Sequence, residues 1–335
     1  VARLALLTSL SVMLFVPTPL LLHLGHPERA LNSMITPHLT SAFAMFGFFA
    51  AFYMVLLILE CWFVFRVDNV ARAQESTGLT RFFYRAVTLW SDDVSPNARA
   101  IDSKLLLTLA IVGIPSAHGL HGYIGFVYGS LKARQWWESD LMPVIFLFSA
   151  IVSGIDMLMT LYVITSKLRR VPIDHACLKG LTYALWGFLM FTVILEGLEF
   201  ANIVYKGKEG VDMIIAYVQG PLFWRYFVLQ FGLCAMLPIA LMSIMIAGNT
   251  RGKAFVIGAT TCAVLVLINV LLMRWNVVIG GQEIAKTGKG LLSYPMPLLG
   301  RESLVTASIL LAAPFVLLGL LVRLFPPWAD PPSNA

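Results

Sequence analysis

The sequence predicts an all-α integral membrane protein with about eight transmembrane helices, and three observations predict it. Of 335 residues, 59% are hydrophobic and only 13% are charged, against roughly 45–50% and about 25% in soluble domains. Apolar stretches of about 20 residues, the length that crosses a roughly 30 Å hydrocarbon core as a helix, recur along the chain. The connections between them are short, and several are basic.

The spans, lettered A to H, fall at about 3–22, 39–65, 105–128, 141–166, 178–203, 222–248, 254–280 and 303–324. The long B–C connection, about 66–104, carries Arg66, Arg72, Arg81, Arg85, Arg99 and Lys104, and the D–E loop adds Lys167, Arg169, Arg170 and Lys179. Basic loops stay in the cytoplasm, so residues 66–104 are expected there as a loop, with both termini inside and the A–B, C–D, E–F and G–H loops outside. Arg251 and Lys253 in the F–G turn agree, whereas Lys286, Lys289 and Arg301 in the G–H loop run against the rule. The net charge of +6 follows from this topology and argues for no nucleic acid partner. Residues 1–325 form one multi-pass domain, and 326–335 form a short Pro-rich tail expected to strap the surface. The chain starts inside an apolar helix without an initiator Met, so an N-terminal truncation is expected.

Cofactor chemistry narrows next. Cys61, Cys177, Cys234 and Cys262 are scattered with no cluster-binding spacing. Span-borne histidines are confined to His118 and His121 on one helix, which is no bis-histidine haem pair. The chain is therefore expected to hold no haem and no iron–sulfur cluster of its own.

Polar residues at membrane depth are costly and mark function by default. His118 and His121 share a face of span C in its outer half, His118 lying roughly 21 Å from the inner end. Pro115 should kink that helix and free the carbonyl of Ile111, and Gly119, Gly122 and Gly125 leave side-chain-sized gaps in which a planar ring could lie. Glu196, Glu199 and Asn202 share a face of span E at the same outer level. Arg225 of span F, Arg274 and Asn276 of span G, and Gln282 and Glu283 in a following GGQE turn complete the layer. A quinone headgroup needs hydrogen-bond partners, an apolar wall and a proton acceptor, which histidine and a desolvated glutamate supply. His118, His121, Glu196 and Glu199 are the catalytic candidates. Asn202, Arg225, Arg274, Asn276 and Gln282 are the binding candidates. Asp156 in span D and Glu60 near the inner end of span B are candidates for a proton path.

The bland readings stand beside these. The histidines could bond interhelically, Glu196 and Glu199 could pair with Arg225 or Arg274, and the arginines and Glu283 could be snorkelling helix-end residues. For Glu60 an interfacial position is the stronger reading; for Asp156 a buried partner or relay is.

The runs LHLGHPERALNSM, HGLHGYIGFVYGSLKARQWWESDLMPVIFLFSAIVSGID and RWNVVIGGQEIAKTGKGLLSY together resemble the NrfD (polysulfide-reductase membrane subunit) family over nearly the whole chain. The LG-x-P-x-R-type loop appears as Leu24, Gly25, Pro27 and Arg29. Within the family the likeness is greatest to the quinone-interacting subunit of the dissimilatory sulfite-reduction membrane complex. The resemblance implies two four-helix bundles, no resident cofactor, and an outer site for menaquinone or ubiquinone. It also implies a periplasmic ferredoxin-like iron–sulfur partner, further membrane and cytochrome subunits, and a bacterial or archaeal cytoplasmic membrane. Family members have one or more helices before the LG-x-P-x-R loop's helix than this chain has, in line with truncation. The competing functions are a proton or solute transporter, which would more typically show broken helices in two matched halves, and a passive anchor, which needs no polar outer layer.

Overall fold

The computed structural model describes residues 1–38, 40–207, 210–293 and 297–328. In chain order the helices are α1 (Ala2–Phe15), α2 (Pro17–His23), α3 (Asn32–Ile35), α4 (Ala42–Glu75), α5 (Gly78–Val87), α6 (Pro96–Gly129), α7 (Met142–Leu168), α8 (His175–Lys206) and α9 (Val211–Gln219), then a π-helix (Trp224–Met236), α10 (Leu237–Ala247), α11 (Gly252–Glu283) and α12 (Leu304–Leu324). Eight of these segments are long and apolar enough to cross a membrane, one for each lettered span. Lipid offers the backbone no hydrogen bonds, so helices that satisfy every internal N–H and C=O are the form such stretches take. Ends are set by side chains. Asp174 Oδ1 accepts from the Ala176 and Cys177 amides at the start of α8, and Ser303 Oγ accepts from Thr306 N at the start of α12.

The chain divides into two compact units, with three whole spans in the first, four in the second and the boundary inside α6, after Leu120. The first, Val1–Leu120 with α12, sets α1 against α4 and α12. Met13, Leu57 and Leu120 form a core from three of its spans. Two cation-centred ties close it. Arg3 meets Asp68 at 2.5 Å, and Arg66 meets Asp102 at 2.6 Å while also donating to Ser91 Oγ and the Asp93 carbonyl. Arg301 donates to the carbonyls of Leu21 and Leu24, fastening the segment before α12 to the end of α2.

The second unit, which begins at His121 and takes in α7 to α11, packs α7, α8, the π-helix with α10, and α11 around Val152, Met159, Leu185, Met242, Cys262 and Val266. Large apolar side chains such as Ile164, Phe191 and Ile244 face outward, as a lipid-facing surface requires.

Two expectations need correction. The 66–104 connection is mostly helical, because α4 runs on to Glu75, α5 intervenes and α6 begins at Pro96; the Arg66–Asp102 pair holds these helical extensions together. The GGQE segment is the last turn of α11. Gly280 sits against the Tyr217 hydroxyl and Gly281 against the Trp137 indole, so the glycines serve close packing there. Pro115 lies within α6, where Ser116 Oγ donates to Val112 O and the His118 ring bonds Ile114 O, each at 2.6 Å. Of the tail, residues 326–328 are described, with Pro326 and Trp328 beside Asp68, Arg72 and Glu75 of α4; 329–335 lie outside the described residues.

Candidate functional site

The second unit builds a buried polar chain across three of its helices. Asn276 Nδ2 of α11 donates to Gln230 Oε1 of the π-helix at 2.8 Å, and Gln230 Nε2 donates to Glu196 Oε2 of α8 at 2.9 Å. Gln230 and Asn276 are each 1% exposed and Glu196 is 8%. The donors run in one direction and end on the carboxyl group. Asn276 Oδ1 is buried without a partner among the described residues, so the chain has an acceptor left over at its other end. A π-helix is rare and concentrates at functional sites. Here it carries Tyr226, Gln230 and Cys234 inward.

A cavity of about 50 Å³ adjoins this chain, lined by Glu196, Glu199, Gln230 and Asn276 with Trp136 and Tyr226 as aromatic walls. A second, more polar cavity of about 60 Å³ is lined by Glu138, Asp140, Asn202 and Lys206. Glu199 and Ile203 line both. Each cavity has room for one or two water molecules. A carboxyl that lines both can receive a proton from one and pass it to the other.

The structure sorts the remaining candidates. Arg225 is turned to the end of α11 and to α9. It donates to Glu283 Oε2 at 3.1 Å and to the Tyr217 hydroxyl, which itself donates to Glu283. Burial, and then the Glu283 carboxylate, hold the Tyr217 phenol above its usual range, so it stays an O–H donor. Arg274 donates to Ser149 Oγ at 2.6 Å and to Phe146 O, with its guanidinium 3.9 Å from the Phe146 ring centroid. Gln282 contributes its carbonyl to Arg134, whose guanidinium also reaches the Gly281 and Ile284 carbonyls and so caps α11. Asp156 is fully buried in the α7–α8–α11 interior, and neither of its carboxyl oxygens has a partner among the described residues. Glu60 is half-buried against α6, where a Cβ added at Gly113 would lie 2.6 Å from its Oε1.

His118 and His121 do not join the cavity lining; both stand on an exposed face of α6. The His118 Nδ1 contact to Ile114 O puts a proton on Nδ1, so in the neutral ring Nε2 is the acceptor. Gly119 beside it opens onto empty space. Gly125 does not, because its missing Cβ is filled by the Met142 carbonyl and Pro143 Cα of α7.

Sequence reasoning missed Gln230, Tyr226 and Trp136. Gln230 was legible as an amide inside apolar span F. The role of Trp136 was not, since it lies in the C–D loop and reaches the site only through the fold.

A multi-pass, all-helical membrane protein with a carboxyl-terminated hydrogen-bond chain beside two small cavities is the class that fold and site define. The chain belongs to the NrfD polysulphide reductase family, whose model matches residues 1–285. It is 30% identical over 83% of its length to a selenate reductase subunit of Mesobacillus selenatarsenatis, covering 65% of that protein. It is 26% identical over 58% of its length to a putative dimethyl sulfoxide reductase membrane subunit of Halobacterium salinarum, covering 42% of it. It is 25% identical over 36% of its length to an Hdr-like menaquinol oxidoreductase integral membrane subunit of Archaeoglobus fulgidus, covering 32% of it. The chain thus spans less than two thirds of each of these relatives.

Proposed function

We propose that the chain is the quinone- or quinol-interacting membrane subunit of a respiratory oxidoreductase. In this reading it passes electrons between a menaquinone or ubiquinone pool and a periplasmic ferredoxin-like iron–sulfur subunit, within a sulfur-metabolising complex of the dissimilatory sulfite-reduction type. The observation that carries the reading is the Asn276–Gln230–Glu196 chain beside a cavity shared with Glu199. Oxidising a quinol releases protons, and buried carboxyls poised by hydrogen bonds accept them. The relatives, named as subunits of a selenate reductase, a dimethyl sulfoxide reductase and a menaquinol oxidoreductase, support the same class.

The cavities are water-sized, so the carboxyls serve proton acceptance. The quinone ring is assigned to the exposed α6 face, where His118 Nε2 accepts a hydroxyl proton, His121 stands one turn on, and Gly119 leaves room. Asp156 and Glu60 are assigned to proton movement, residues 66–104 to the cytoplasmic side, and the loops on either side of α3 and before α12 to the partner's side.

The test is quinol turnover in the reassembled complex. Glu196→Gln, Glu199→Gln and His118→Ala should each lower it by about 10²–10⁴ if they act in proton transfer, with assembly intact. Normal turnover in all three overturns the assignment, and a purified protein that binds no quinone in the complex leaves the anchor reading in its place.

A further inference from the structure

Helix α5 has three faces, and the proposed function uses none of them. Tyr84 and Thr88 are buried against the protein, with the Tyr84 hydroxyl donating to Leu324 O at the end of α12 and accepting from Arg72 of α4. Leu79, Phe82 and Phe83 form a second, exposed apolar stripe at helical spacing, with Phe83 also facing the Phe325 ring at 6.3 Å, and Trp90 stands just beyond the helix end. Leu79 is 88% exposed, Phe82 62% and Trp90 60%. The third face carries Arg81 and Arg85, and no acidic residue lies within Gly78–Val87.

The level of this helix is set by contacts. Trp62 Nε1 of α4 donates to Val87 O at 2.7 Å, and Arg66 reaches Ser91 Oγ and the Asp93 carbonyl. The C-terminal end of α5 therefore lies beside Trp62–Arg66, where the apolar run of α4 gives way to charge. That is the boundary between hydrocarbon and water. The backbone there is unusual. Leu89 and Trp90 both take positive φ, 53° and 57°, conformations that side chains other than glycine rarely adopt. The result is that Trp90 turns back onto the stripe, its ring edge-on to Phe82 at 6.2 Å. Strained backbone that presents an exposed Trp, beside exposed Leu and Phe, is explained if the ring sits in an interface.

We propose that α5 is an interfacial anchor. Its Leu79–Phe82–Trp90 stripe lies in the headgroup–acyl boundary of the membrane that α4 and α12 cross, and Arg81 and Arg85 hold anionic phospholipid headgroups. The stripe adjoins both spans, since Val87 O accepts from Trp62 of α4 and the Phe83 ring lies 6.3 Å from that of Phe325 at the end of α12. The two arginines match the anionic surface, although Arg85 also faces Asp92 at 3.6 Å and shares its charge there.

The experiment uses the full chain in vesicles of phosphatidylcholine with phosphatidylglycerol. Single Phe82→Cys and Arg81→Cys variants are reacted with a membrane-impermeant thiol reagent, and the parent chain, with its native cysteines, supplies the background. Both positions are exposed, so folding is retained. Burial in the boundary predicts that Cys at 82 reacts about tenfold more slowly than Cys at 81, and that it is labelled by a lipid-borne photoprobe. Equal reaction at both positions overturns the proposal. So does protection of 82 from both probes, which would mean that a protein partner covers the stripe. The headgroup arm is read from lipid retained on purification: the Arg81→Gln/Arg85→Gln chain should lose its enrichment of phosphatidylglycerol over phosphatidylcholine, and unchanged enrichment overturns that part.

Discussion

Gln230 makes both contacts that define the buried chain, and its amide has the one geometry that can accept from Asn276 while donating to Glu196. Gln230→Leu strands two buried polar groups, each worth about 1–3 kcal/mol, so thermal unfolding in detergent should shift down clearly. Glu196→Gln keeps a hydrogen-bonding side chain of the same shape and should leave unfolding near its original temperature while lowering quinol turnover. If both variants unfold alike, the network contributes no stability. A second pair of residues separates packing from ring binding. Gly125→Ala places a Cβ within 2.6 Å of the backbone at Met142 and Pro143, and backbone cannot yield as a side chain can; overpacking of this kind costs about 1–3 kcal/mol. Gly119→Ala meets nothing and should be stable, yet a ring lying beside His118 would be displaced. Unchanged quinol turnover in the Gly119→Ala chain would remove the ring from that face.

At the scale of elements, two departures from regular helix position the chemistry and the connection. The π-helix over Trp224–Met236 carries Tyr226, Gln230 and Cys234, spaced by four, into the interior. The Arg66–Asp102 pair joins α4 to α6 and, through Ser91 and Asp93, pins the segment after α5. Its side chains are only 9% and 12% exposed, so removing one partner leaves a poorly solvated charge. Asp102→Ala should cost about 3–5 kcal/mol and open residues 88–95 to protease, whereas the double change Arg66→Met/Asp102→Leu should recover part of that loss. Limited proteolysis of the membrane-embedded chain reads both. Equal cleavage of wild type and Asp102→Ala would deny the pair this role.

For the whole molecule, the arrangement of basic residues leads us to expect 66–104 on the cytoplasmic side, and an impermeant label should reach a cysteine placed at Arg99 only in inside-out vesicles. Labelling in right-side-out vesicles would invert the topology. The class and the eight spans were readable directly, because a hydrocarbon solvent penalises unsatisfied backbone and charge so heavily that long apolar runs and rare polar residues carry their meaning locally. Glu196, Glu199 and Asn276 were legible on that ground, and Gln230 could have been. The order within the polar layer was not. Arg225 turns to Glu283 and Tyr217, and Arg274 hydrogen-bonds Ser149 and Phe146 while its charge acts on Glu196, since helix rotation and packing choose among partners at equal depth. The spacing of the histidines and glycines suggests one ring-shaped gap, yet the backbone of α7 fills Gly125. By itself the sequence determined what crosses the membrane and which polar side chains go with it, as both follow from the cost of transfer from water. Only the tertiary structure decided which side chains meet, because that depends on how helices turn against one another, and no periodicity along a single chain encodes it.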